Sequence, residues 1–162
     1  MISKILSPKG NKLHDNSLKS VSFFGLNQAI KYHCGIELDR VKTSEKFALD
    51  ILSVMKDIIE EKTDSEGKDY ILTQPHNDSY LIKSKGSIGF SDNSNEYSSR
   101  FLRRDSKLPL AKQINKFKKF EKLVNGGCIF NRKSENNEKS IMETLKLLLK
   151  SNINAFSINN PI

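Results

Sequence analysis

Tryptophan is absent from these 162 residues, cysteine occurs twice, histidine three times and proline four times. Two thiols, Cys34 and Cys128, cannot build a disulfide framework, and His14, His33 and His76 are too scattered for a four-ligand zinc spacing. No structural metal and no built-in cofactor are therefore expected. Arginine is scarce as well: 5 residues against 22 lysines, whereas bidentate recognition of phosphates or base edges leans on the guanidinium fork. No apolar run approaches the roughly 18 residues of a membrane span, and the opening MISKILSPKGNKL has neither an adequate apolar stretch nor a small-residue cleavage site. The expectation is a soluble protein outside the general secretory route. Apolar residues make up 36%, below the roughly 45% of ordinary globular domains, so the core must be small.

The chain does have positive charge, a net +8 with a pI near 9.4. Such a balance favours acidic partners. The charge is unevenly spread. Residues 100–122 carry nine basic side chains against Asp105 and Glu121, a net of +7 that leaves +1 for the rest, while residues 37–66 carry nine carboxylates against five cations.

Periodicity predicts four helices. Leu26, Ala29, Ile30 and His33 recur at helical spacing over 26–34, with Gly35 placed for a left-handed cap. Phe47, Ala48, Ile51, Leu52, Met55, Ile58 and Ile59 mark a core helix over about 43–62, with Thr43 or Ser44 as N-cap. Leu110, Ile114, Phe117, Phe120 and Leu123 or Val124 form one stripe of a basic amphipathic helix that starts at Pro109 and ends before Gly126. Ile141, Met142, Leu145, Leu148 and Leu149 mark a last helix over 137–151. Between the second and third, DYILTQ, SYLIKS and SIGFSD are short β-rich runs separated by turn residues and read as a three-stranded antiparallel meander. The expected fold is α+β, with two N-terminal helices, the meander and two C-terminal helices. The expected divisions are a flexible leader over 1–22, one domain over 23–156 and a tail over 157–162.

Residues 33–40 read His-Cys-Gly-Ile-Glu-Leu-Asp-Arg, which resembles the H-C-x5-R loop of cysteine-dependent phosphatases. The resemblance implies a Cys34 thiolate that attacks phosphorus and an Arg40 guanidinium that holds phosphate oxygens. Leu38 and Val41 depart from the second glycine and the hydroxyl residue of that family, and Glu37 and Asp39 bring two carboxylates into a dianion site. Cys34, His76 and Asp78 also stand in the chain order of papain-like hydrolases, although Cys34 closes a predicted helix where that nucleophile should open one.

The basic strip offers Arg103, Arg104, Lys112, Lys116, Lys118, Lys119 and Lys122 as partner-binding residues. It could meet an acidic protein or an anionic membrane surface, with nucleic acid as a second partner class, or pack its stripe inward with its lysines toward the acidic second helix. Arg103-Arg104-Asp105-Ser106 makes Ser106 a phosphosite candidate. The Ser-rich, acid-poor residues 1–22 resemble the uncleaved export signals of bacterial type III effectors. The combined expectation is a small non-enzymatic binding protein: a bacterial effector with a virulence role, made in the cytoplasm and secreted without the general signal. The alternatives are thiol chemistry at Cys34 and nonspecific nucleic-acid binding.

Overall fold

Two pairs of parallel strands organise the fold, each closed by helical crossovers. The computed structural model describes residues 18–75, 100–102, 106–133 and 137–159. Strand β1 (Lys19–Ser22) leads into α1 (Leu26–Cys34) and α2 (Lys42–Glu66), and the chain returns as β2 (Tyr70–Thr73). After α3 (Leu110–Glu121), strand β3 (Phe130–Lys133), helix α4 (Glu138–Lys150) and strand β4 (Phe156–Asn159) form a βαβ unit. β1 pairs with β2 and β3 with β4, both parallel.

The expected α+β meander is thereby corrected to α/β. Parallel neighbours need a crossover of a dozen or more residues, and Tyr70–Thr73 finds a parallel partner in β1, far back in the chain. The other two runs of that meander, 79–84 and 87–92, lie outside the described residues, as do residues 1–17. The fold also extends past both expected bounds. Lys19–Ser22 falls within the segment read as a leader, and Phe156–Asn159 runs into the segment read as a tail.

β1 is a strand because of cross-strand polar pairing. Ser20 and Ser22 place their hydroxyls 2.7 and 2.6 Å from Thr73 Oγ1 on one face. On the other, Lys19 Nζ donates to the Tyr70 hydroxyl at 3.1 Å and lies 4.9 Å from its ring centroid. The far edge of β2 is lined by Asn125-Gly126-Gly127. Leu72 N donates to Asn125 Oδ1 at 2.8 Å, Gly126 N to Leu72 O at 2.7 Å and Gln74 N to Gly127 O at 3.1 Å. That approach requires glycine, because a Cβ at Gly126 would overlap the Thr73 methyl and meet Leu72 O at 2.8 Å and Ile71 Cδ1 at 2.9 Å.

The helices follow the apolar periodicity. α1 ends at Gly35, whose φ of 69° is the left-handed conformation that Gly adopts without penalty. α2 buries Ala48, Leu52 and Ile59 but leaves Phe47, Val54 and Ile58 exposed. Neither Thr43 nor Ser44 caps it; Val41 holds that position, and the buried Ser44 hydroxyl donates to the carbonyls of Glu37, Leu38 and Val41. Asn137 caps α4, its side chain accepting from Lys139 N. The core centres on phenylalanine: Phe101 stacks on Phe120 at 5.0 Å, and Phe117 meets Phe130 edge-on at 5.2 Å.

Candidate functional site

The stripe of α3 lies in that core: Ile114, Phe117, Phe120 and Val124 are all buried. Its phenylalanines are packed inside and are not available for insertion into a bilayer. What α3 offers outward is charge, and its lysines divide by angular position. Lys118 turns toward the end of α4 and donates to Ser151 O at 2.7 Å. Lys122 stands exposed just beyond the last helical residue. Lys112, Lys116 and Lys119 face α2.

A groove of about 380 Å³ separates the two helices there, lined by Lys42, Glu45, Lys46 and Leu49 from α2 and by Lys112, Asn115, Lys116 and Lys119 from α3. Both sets recur at i, i+3, i+4 and i+7, so each is one face of a helix. Glu45, 5% exposed, anchors the floor. Lys116 donates to its Oε2, and Lys119 donates to Oε1 at 2.5 Å. Burial acts to raise the Glu45 carboxyl, but the hydrogen bonds and charges of Lys116 and Lys119 outweigh it and leave the carboxyl below its ordinary value. Lys46 is paired with Asp50 at 2.6 Å, whereas the side chains of Lys42 and Lys112 make no ion pair or hydrogen bond among the described residues.

The other candidates are placed differently. Cys34 is exposed and is the last residue of α1, whereas the nucleophile of a papain-like hydrolase would open a helix. Arg40 faces Glu37, with Nε 3.8 Å from Oε2. Leu38 N donates to Asn27 Oδ1 and Arg40 N to Glu37 O, so these loop donors are used internally. The phosphatase-like loop is therefore not assembled: a helix precedes it in place of a strand, and Leu38 is fully buried in the core. His76, Asp78, Arg103 and Arg104 lie outside the described residues.

Ser106 donates to Asp39 Oδ2 at 2.6 Å, and Asp39 is 3% exposed. A phosphate on Ser106 would confront that carboxylate. Cys128 is buried, and burial, with Glu121 adding its charge, pushes its thiol up to about 12. Among the described residues no group of His, Cys, Asp and Glu could hold a metal, and no helix is long and apolar enough to cross a membrane.

Sequence reasoning pointed the lysines at the acidic second helix without singling out Lys42, Glu45, Lys46 and Leu49, and it missed the glycine contact on β2. The signal for the first was present in the matched spacings Lys42-Glu45-Lys46-Leu49 and Lys112-Asn115-Lys116-Lys119. For the second it was the Asn-Gly-Gly run before an apolar segment.

The family model for anaerobic ribonucleoside-triphosphate reductase matches residues 3–162. The chain belongs to that family. Its fold is similar to the anaerobic ribonucleotide reductase from Thermotoga maritima with glycerol in the active site, at TM-score 0.66 and 16% identity over 94% of this chain and 26% of that one. The same enzyme with dATP bound in its specificity site gives TM-score 0.64 at 16% identity, covering 94% and 27%. Another anaerobic ribonucleotide reductase gives 0.66 at 17%, covering 98% of this chain and 27% of that one. No curated protein matches. The chain thus spans about a quarter of the length of these solved relatives.

Family membership overturns the expectation of a small non-enzymatic secreted effector with a virulence role. The Ser-rich composition that suggested an export signal occurs in a segment that the reductase family model covers from residue 3.

Proposed function

We propose that these residues serve ribonucleoside-triphosphate reduction as one α/β module of an anaerobic reductase that has the rest of the family's length, on this polypeptide or on another. The observation behind this reading is the family match over nearly the whole chain, combined with coverage of only about a quarter of the solved relatives. The geometry agrees with it. Parallel sheets occur almost only with both faces covered and with several strands, and among the described residues each sheet has two strands. Large apolar side chains also stand in solvent, among them Tyr32 at 87% and Leu149 at 69% exposure. Further strands and helices packed on these edges and faces would bury them. The reading also carries a working place inside the cell, with substrate in solution.

The test is production of this module together with the remaining family segments, on one polypeptide or two, followed by anaerobic assay on ribonucleoside triphosphates. The expected result is one assembly whose formation of deoxyribonucleotide depends on both parts. Failure of the two to associate, with turnover unaffected by this chain, would sink the proposal.

A further inference from the structure

We infer that the groove between α2 and α3 is a binding site for a phosphate chain, either free or carried by a nucleotide. The inference does not rest on the reductase reading.

Charge is the first reason. Five ammonium groups, from Lys42, Lys46, Lys112, Lys116 and Lys119, line one groove with a single carboxylate, Glu45. Three of the five have carboxylate partners: Lys116 and Lys119 share Glu45, and Lys46 has Asp50. Lys42 and Lys112 stand on opposite walls with none among the described residues. Lys42 is moreover the first residue of α2, at the helix end whose dipole favours an anion and opposes a cation. A multiply charged anion seated between the walls would relieve both the mutual repulsion and the misplaced charge.

Organisation is the second. The Lys116 side chain is 17% exposed and the Glu45 side chain 7%, so a buried acid fixes the direction of Lys116 and, through its second oxygen, of Lys119. Fewer rotamers remain to be frozen when a ligand binds.

Chemistry and size decide the class of ligand. Arginine's planar fork serves carboxylate and phosphate alike, whereas lysine holds phosphate as a point charge without it, and every cation in this groove is lysine. A concave volume of about 380 Å³ falls in the range for small-molecule sites and is unlike the broad, flat contact of two proteins. A phosphate chain is thereby favoured over an acidic protein segment.

Calorimetric titration of the full chain tests this with inorganic tripolyphosphate, ATP and a poly-glutamate peptide, at low and high salt. One tripolyphosphate per chain is expected, weakening with salt. The double substitution Lys42→Ala and Lys112→Ala should lower the affinity about tenfold, from two lost charge contacts, with an unchanged melting temperature because both side chains are exposed and unpaired. Lys122→Ala, outside the groove, should bind as the parent does. Equal affinities for ATP and tripolyphosphate would assign the site to the phosphate chain alone, and tighter ATP binding would assign it to a nucleotide. Absence of binding, no loss in the double variant, an equal loss in Lys122→Ala, or preference for poly-glutamate would each overturn the assignment. None of these readouts involves reductase turnover or assembly, so the two proposals fail separately.

Discussion

Gly126 donates its backbone N–H to the carbonyl of Leu72 at 2.7 Å, and no side chain fits between them. Gly126→Ala drives a methyl into the Thr73 side chain, the Leu72 carbonyl and the Ile71 side chain, all of which must shift. Overpacking of this kind costs about 2 kcal/mol, and chemical denaturation should show the loss as a lower midpoint with an unchanged slope. A midpoint equal to the parent's would mean that the Asn125-Gly126-Gly127 segment does not press on β2 in solution.

The same contact shows what the chain discloses before it folds and what it withholds. Helices were legible because their information is local. The spacing of Leu26, Ala29, Ile30 and His33, or of Ile114, Phe117 and Phe120, can be counted along the sequence, and Gly35 and Asn137 punctuate the ends. Strand pairing was not, because β1 contains one apolar residue among Lys19, Ser20, Val21 and Ser22, and its stabilising partner Thr73 is reached only after two helices. Proximity in sequence favoured a hairpin, and tertiary pairing chose otherwise. The candidate groove was half legible for a related reason. The lysines of α3 form an obvious cluster, but Glu45 is one acid among nine in its region, and only packing distinguishes it from a solvated neighbour.

Ser106 and Asp39 provide a test of the buried polar contact. Ser106→Ala removes one donor from a carboxylate that solvent barely reaches, at a cost of about 1 to 2 kcal/mol. Ser106→Asp adds a like charge at hydrogen-bond distance and should destabilise further. Urea unfolding of the two variants ranks them, and an aspartate variant as stable as the parent would contradict the placement of the hydroxyl against Asp39.

The two thiols should separate cleanly by reactivity. Cys34 is exposed and Cys128 is buried, with its thiol held at about 12. At pH 8 the thiolate fraction of Cys128 is then on the order of one in ten thousand, and the side chain is inaccessible besides. Iodoacetamide should label one site per native chain, mapped to Cys34 by peptide mass, and a second only after unfolding. Labelling of Cys128 in the native protein would show that the β3 end of the core opens.

Glu45 links the charge of the groove to the stability of the fold. Its carboxyl is lowered from the ordinary 4.5 because Lys116 and Lys119 outweigh the effect of burial. A group whose folded value is depressed stabilises the protein above its unfolded value, and the contribution disappears as pH falls through the folded value. The parent should therefore exceed Glu45→Gln in stability by about 2 kcal/mol near neutral pH, as for hydrogen bonds to a charged group. That margin should hold down to about pH 4.5 and shrink below it. Parallel urea titrations of parent and variant from pH 7 to pH 3 measure the margin directly. A difference that stays constant over this range would mean that the two lysines do not hold the carboxylate, and that α2 and α3 are joined by their apolar contacts alone.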